Sequence, residues 1–157
     1  GIIINGKVFS GHRGGAGEAG HTTLHQGGRN CYCGQIGCAE LYLSGHGLEE
    51  QYHLSTGKRK KATDIFDSAD DQSFLKTYQK DLANFLTNIT NIIDPDFFVL
   101  GGGLSTHPAI YEGLNDALQQ KQFLKNTPAP KVLKHHIGDS AGVLGAALLI
   151  KPFELQS

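Results

Sequence analysis

Three cysteines and one histidine stand at Cys31, Cys33, Cys38 and His21, a His-x9-Cys-x-Cys-x4-Cys run threaded through glycines. Thiolate and imidazole are the donors that zinc prefers, and four of them make a tetrahedral set. Gly34 and Gly37 give the chain the freedom to fold back between the second and third thiols. The run predicts a structural Zn2+ site in a knuckle over residues 21–38, with His21, Cys31, Cys33 and Cys38 as ligands. The plainer reading is three small buried residues and a surface histidine, since cysteine is common in cores. A disulfide fits less well. The cysteine count is odd, and close cysteines in a reducing compartment more often hold metal.

A chain of 157 residues with 39% apolar content can bury one ordinary core, so one domain or one lobe is expected. No apolar run approaches the roughly 18 residues of a membrane span. With no recognisable secretory leader, the expected location is cytoplasmic. Lys+Arg 14 against Asp+Glu 15 gives a net charge of -1, which offers no general attraction to nucleic acid or to an anionic bilayer. The basic run at residues 58–61 reads as a solvated loop. The histidines other than His21, including His25 and His107, read as surface or loop residues. The sequon at Asn88 falls inside a predicted helix and is discounted.

The elements that must position the four ligands follow from periodicity. Ile2, Ile3, Ile4, Val8 and Phe9 surround Asn5-Gly6, a strong hairpin signal. An apolar strand opening the chain without a partner suggests that the sequence is truncated there. A helix is expected over residues 39–52, loosened at 44–47, and a short one over 63–66. Residues 71–93 carry Leu75, Tyr78, Leu82, Leu86, Ile89 and Ile93 at helical spacing, with Pro95 just beyond. Residues 97–100 form a continuous apolar run ending in Gly101, Gly102 and Gly103, as a fully buried strand would. A helix over 108–121, a weak strand over 131–135 and a closing helix over 140–150 complete an α/β pattern. A glycine-rich turn between a buried strand and a helix suits the approach of a phosphate or nucleotide.

The segments Gly15-Ala-Gly-Glu18-Ala-Gly-His21, Cys31-Tyr-Cys33-Gly-Gln-Ile-Gly-Cys38-Ala-Glu40, Leu43-Ser-Gly45 and Asp94-Pro-Asp96-Phe-Phe-Val-Leu-Gly101-Gly-Gly103 resemble, in this order, the repressor, open reading frame, kinase (ROK) family. The resemblance covers essentially the whole chain, but only the C-terminal half of a family member. It implies the actin-like, ribonuclease-H-like ATPase fold, here the second lobe with a zinc knuckle and without its N-terminal lobe. The cysteine run and the ending Gly138-Asp139-Ser-Ala-Gly142-Val-Leu-Gly145 look closest to bacterial fructokinase-like and N-acetylglucosamine kinase-like members.

The implied activity is transfer of the ATP γ-phosphoryl group to a hexose or N-acetylhexosamine, with Mg2+ accompanying the ATP. The implied sugar contacts are Glu18, His21 and Glu40. Carboxylates accept hydrogen bonds from sugar hydroxyls, and one imidazole nitrogen can serve a metal while the other meets the sugar. Gly101, Gly102 and Gly103 are the implied approach to the nucleotide. The family also uses an Asp-x-Gly-Gly-Thr phosphate loop and an Asn-Asp pair supplying the base, neither of which is recognised in this sequence, so the chain alone is expected to be inactive. A homodimer is compatible with the resemblance. The alternatives are the sugar-sensing core of a repressor and a non-catalytic zinc-binding remnant.

Overall fold

Helical period and punctuation are obeyed most closely between Asp71 and Asp94, and the other elements are arranged around that stretch. The computed structural model describes residues 1–138. Its elements are β1 (Ile3–Ile4), β2 (Lys7–Val8), α1 (Glu40–Leu43), α2 (Gly45–Thr56), α3 (Ala62–Asp67), α4 (Gln72–Ile93), β3 (Phe97–Leu100), α5 (Leu114–Lys121) and β4 (Lys131–Lys134), interspersed with short 3-10 turns. α4 ends on Asp94 in the left-handed region (φ 45), directly before Pro95, which cannot continue a helix.

One face of α4 presents Leu75, Tyr78, Leu82 and Leu86 to the core. They meet Leu48 of α2, Ile65 and Phe66 of α3, and Leu114 and Leu118 of α5. Burial of each such side chain contributes about 1.5–3 kcal/mol. Thr87 and Thr90, also buried, satisfy their hydroxyls on the carbonyls of Ala83 and Leu86 one turn back (2.7 and 2.9 Å). The Tyr78 hydroxyl donates to the Leu43 carbonyl (3.1 Å), tying α4 to the end of α1.

β1 and β2 form the expected hairpin, with Ile3 opposite Val8 and both Asn5 and Gly6 at positive φ (51 and 71), as a type I′ turn requires. β3 and β4 pair in parallel, Phe97 opposite Lys131 through Leu100 opposite Lys134, with α5 in the connection between them. This is one βαβ unit.

Several expectations need correction. β3 is not fully buried: Phe97 and Val99 are 54% and 56% exposed, because only the Phe98 and Leu100 side of this two-stranded sheet meets the helices. The helix expected over 108–121 is two pieces, a 3-10 turn at Pro108–Tyr111 and then α5, since Glu112 is extended and Gly113 left-handed (φ 67). The loosening at 44–47 is a full break at Ser44 (φ -81, ψ 157), whose Oγ accepts from Gly47 N and starts α2 afresh (2.9 Å). The apolar stripe of α4 outruns the core, leaving Ile92 80% exposed. Within the basic run, Lys60 is not merely solvated: its ammonium donates to Asp71 Oδ2 (2.7 Å). The closing helix expected over 140–150 lies outside the described residues, as does the segment 139–147. No helix among the described residues is long and apolar enough to cross a membrane.

Ile65 is fully buried between α3 and α4 and has no room to be replaced by solvent. Ile65→Ala should destabilise the chain by about 2–5 kcal/mol, with the larger value if the cavity fails to collapse. Chemical denaturation followed by circular dichroism measures the difference.

Candidate functional site

His21 closes a single 3-10 turn, Ala19–His21, and the cysteines follow on a small hairpin-like excursion. Isolated bridges pair Thr23 with Cys38 and Asn30 with Ile36, so both ends of the excursion are brought together. Cys31 N donates to the Gln35 carbonyl (2.8 Å) and Gly34 N to the Cys31 carbonyl (3.0 Å), folding the chain tightly between the cysteines. Gly37 is the residue with no substitute. Its φ is +76, and a Cβ built there collides with the His25 carbonyl oxygen.

The result is convergence. The ligand atoms of His21, Cys31, Cys33 and Cys38 all lie within 4.8 Å of one another. Cys33 Sγ and Cys38 Sγ are 3.6 Å apart, and His21 Nδ1 is 3.7 Å from Cys31 Sγ. The edge of a tetrahedron with metal–sulfur bonds of about 2.3 Å is about 3.8 Å. The donor set and its spacing therefore fit a four-coordinate cation. Electrostatics agree: burial, then the neighbouring thiols, push the Cys38 thiol up to about 12, while the Gln35 backbone amide pulls Cys33 below its usual value. Thiolates packed this closely disfavour one another's ionisation unless a cation stands between them.

The other edge of the His21 ring faces outward. Nε2 lies 3.2 Å from Glu40 Oε2 and 3.0 Å from the Tyr32 hydroxyl, which also donates to Glu40 Oε2 (3.3 Å). Glu40 is the first residue of α1. The structure thus brings His21 and Glu40 together with the cysteines. Glu18, exposed at the cap of the same 3-10 turn as His21, holds no capping hydrogen bond there.

Gly101, Gly102 and Gly103 lie at the carboxyl end of β3 and line a cavity of about 590 Å³. Its other walls include Leu43, Ser44 and Gly45 at the α1–α2 break, and Leu104 and Ser105. Gly102 has φ +85 and introduces the 3-10 turn Gly103–Thr106. A side chain would be strained there by the backbone, although nothing within 4 Å would block it. The cavity adjoins the His21–Glu40 pair through α1, since Glu40 and Leu43 are the two ends of that helix.

Residues not singled out by sequence reasoning also surround the site. Tyr32, flanked by Cys31 and Cys33, reaches both His21 and Glu40. His25 is not an idle surface histidine: its Nε2 pairs with the buried Asp81 (2.8 Å). His107 likewise is engaged, with Nε2 3.0 Å from Asp67 Oδ1 and Nδ1 accepting from Ala109 N (3.3 Å). The visible signal for the first pair is Asp81 itself, a charge placed beside Tyr78 and Leu82 on the apolar stripe of α4. An Asn-Asp dipeptide does occur, contrary to expectation, at Asn115-Asp116. It sits on α5, where Asn115 Oδ1 accepts from Val132 N (3.2 Å), and α5 contributes no residue to the cavity or to the surroundings of His21.

Comparison with known proteins gives a consistent pattern. The profile described as "ROK family" matches residues 1–152. The chain is 40% identical over 165 residues to an N-acetyl-D-glucosamine kinase of Pasteurella multocida, covering 95% of this chain and 54% of that protein. It is 38% identical over 164 residues to the N-acetyl-D-glucosamine kinase of Vibrio cholerae, with the same coverage of 95% and 54%. The chain thus spans about half the length of the curated relatives it matches. Among solved structures, the ROK hexokinase from Thermus thermophilus superposes with a TM-score of 0.81 at 30% identity, over 94% of this chain and 52% of that one. A ROK family glucokinase from Streptomyces griseus, solved with glucose and AMPPNP, gives 0.81 at 25% identity over 94% and 55%.

Gly37→Ala should open the cysteine loop, because the added methyl meets a backbone carbonyl rather than a yielding side chain. Cys38, fully buried in the native fold, should then react with a thiol reagent at least about tenfold faster, while the far-ultraviolet circular dichroism of the helices is retained. Stopped-flow thiol titration reads the rate.

Proposed function

Since the chain belongs to the ROK family, we infer that it is part of an ATP-dependent sugar kinase acting on a hexose or N-acetylhexosamine. Relatives named as N-acetyl-D-glucosamine kinases favour the N-acetylhexosamine class, and favour a kinase over the sugar-sensing core of a repressor. The observation that carries the reading is the two-sided His21. Nδ1 belongs to the cluster with three cysteines, and Nε2 stands beside Glu40.

In this reading His21, Cys31, Cys33 and Cys38 hold a structural Zn2+, which supplies a fixed positive centre rather than chemistry on the substrate. The cation fixes the imidazole with its proton on Nε2, so that Nε2–H presents a donor and the Glu40 carboxylate an acceptor to sugar hydroxyls, with Glu18 as a further acceptor from the adjoining turn. Tyr32 fills that position in the free chain by donating to Glu40. Gly101, Gly102 and Gly103 form the wall along which ATP with Mg2+ approaches, where an absent side chain lets the backbone come close. The base that takes the sugar hydroxyl's proton is not among the residues gathered around His21 and Glu40, so the chain by itself should show no sugar phosphorylation.

Protein purified without added metal should carry about one zinc per chain by elemental analysis, and Cys33→Ser should lower the ratio severalfold. A ratio near zero in the unmodified chain would sink the metal assignment. Cys38 must give up its proton to bind. Its thiol is pushed up to about 12, so it is protonated throughout the neutral range, and zinc affinity should rise with pH there and fall on acidification. A competitive chelator titration at several pH values tests the sign.

In a chimera that completes this chain with the remaining half of a curated relative, Glu40→Gln should weaken use of N-acetylglucosamine roughly ten- to a hundredfold, the size expected for a hydrogen bond to a charged group. The Michaelis constant for ATP should hardly move. A rise in the ATP constant alone would reassign Glu40.

A further inference from the structure

The carboxylate of Asp81 lies on α4 in a residue only 3% exposed, between Tyr78 and Leu82 on the face that builds the core. A carboxylate removed from water is costly unless a partner compensates it. Among the described residues its one hydrogen-bond partner is His25, whose Nε2–H donates to Asp81 Oδ2 at 2.8 Å, across 56 positions of sequence. An ionised carboxylate can only accept, so this contact assigns the proton to Nε2.

His25 is also wired into the cysteine loop. Its backbone N–H donates to the Gly37 carbonyl (3.1 Å), and its own carbonyl accepts from Gly28 N (3.0 Å). That same carbonyl occupies the space a Cβ on Gly37 would need. Its ring lies edge-on to Tyr42 at 4.4 Å between centroids. Tyr42 sits two residues beyond Glu40, accepts the Arg29 backbone N–H at its hydroxyl (2.9 Å), and lies beneath the Arg29 guanidinium at 4.8 Å. One imidazole therefore joins three parts: α4, the loop that closes on Cys38, and the helix that begins with Glu40.

We propose that His25 and Asp81 are a positioning pair, which anchors the cysteine loop to α4 and thereby holds His21 and Glu40 at their mutual distance. The buried carboxylate leaves the loop a single registered seat on the core. Without the pair, the loop loses its seat on the helix, and the hydrogen bonds within it open more often. The inference rests on the kinase reading for its consequence, and on the geometry of the pair for its existence.

The test uses the 157-residue chain as purified, with His25→Ala, Asp81→Asn and the double variant. The His25 side chain is 42% exposed, so its replacement removes little packing, and the double variant, which also removes the orphaned charge, keeps the test available if either single variant fails to fold. Hydrogen exchange should quicken by about tenfold or more at the amides of Cys31, Gly37 and Ala39, and the double variant should exchange no faster than the singles, because both remove one interaction. Exchange within α4 should change far less. The core control Leu118→Ala should instead speed loop and helix amides together. Unchanged loop amides in His25→Ala, a rise shared equally by loop and α4, or effects that multiply in the double variant would each overturn the proposal. Zinc content is measured on the same samples. Absence of zinc from the unmodified chain counts against the metal reading alone and leaves the exchange rates to decide the pair. Where zinc is present, its release to excess chelator should quicken by a similar factor in both single variants and not in Leu118→Ala.

Discussion

Charge is the constraint on which the site depends. Four donor atoms confined within 4.8 Å can be stable together only if their lone pairs have something to point at. In the bare thiol state the group divides against itself, with Cys38 held protonated by burial and Cys33 drawn toward ionisation by the Gln35 amide. A cation removes the conflict, and the local chain is shaped to admit one. The bridges from Thr23 to Cys38 and from Asn30 to Ile36, and the bare Cα at Gly37, all serve to bring sulfurs from separate turns to one point. The orientation of His21 follows, because a ring whose Nδ1 is committed inward must present Nε2 to Glu40.

Glu40 and the glycine wall are coupled by a feature of modest size. α1 lasts from Glu40 to Leu43 before the extended Ser44 breaks it, and the next residue, Gly45, packs toward Leu104 of the turn after β3. The break turns one amphipathic stretch into two short walls, one bearing the acceptor beside His21 and the other lining the space near Gly101, Gly102 and Gly103.

The parts of this arrangement legible from sequence are those in which chemistry or period acts locally. The four converging donors announce themselves by type and spacing, α4 by its repeating apolar positions, and the hairpin by Asn5-Gly6. Elements decided by distant neighbours were less visible. Nothing local in Phe97 to Leu100 tells that only one side of β3 is covered, and the split before α5 turns on the left-handed backbone at Gly113, a residue that helices also tolerate. His25 and Asp81 could not be joined by inspection, although a charge on the apolar stripe of α4 is a request for a partner. The Asn-Asp dipeptide shows the opposite hazard: the letters are present, but α5 places them away from His21 and Glu40.

The closeness of Cys33 and Cys38 has a further consequence. With Sγ atoms 3.6 Å apart, the two are separated by little more than the shift needed to form a sulfur–sulfur bond of about 2.05 Å. Cys33, exposed and drawn toward its thiolate, is the member that a peroxide-type oxidant converts to a sulfenic acid, whose sulfur Cys38 then attacks with loss of water. An occupied site keeps both sulfurs engaged, whereas an empty one in air is a vicinal dithiol awaiting closure. The redox history of a sample would then be written in its metal content, and a preparation stripped under oxygen would need a reductant, not merely fresh metal, to recover the site.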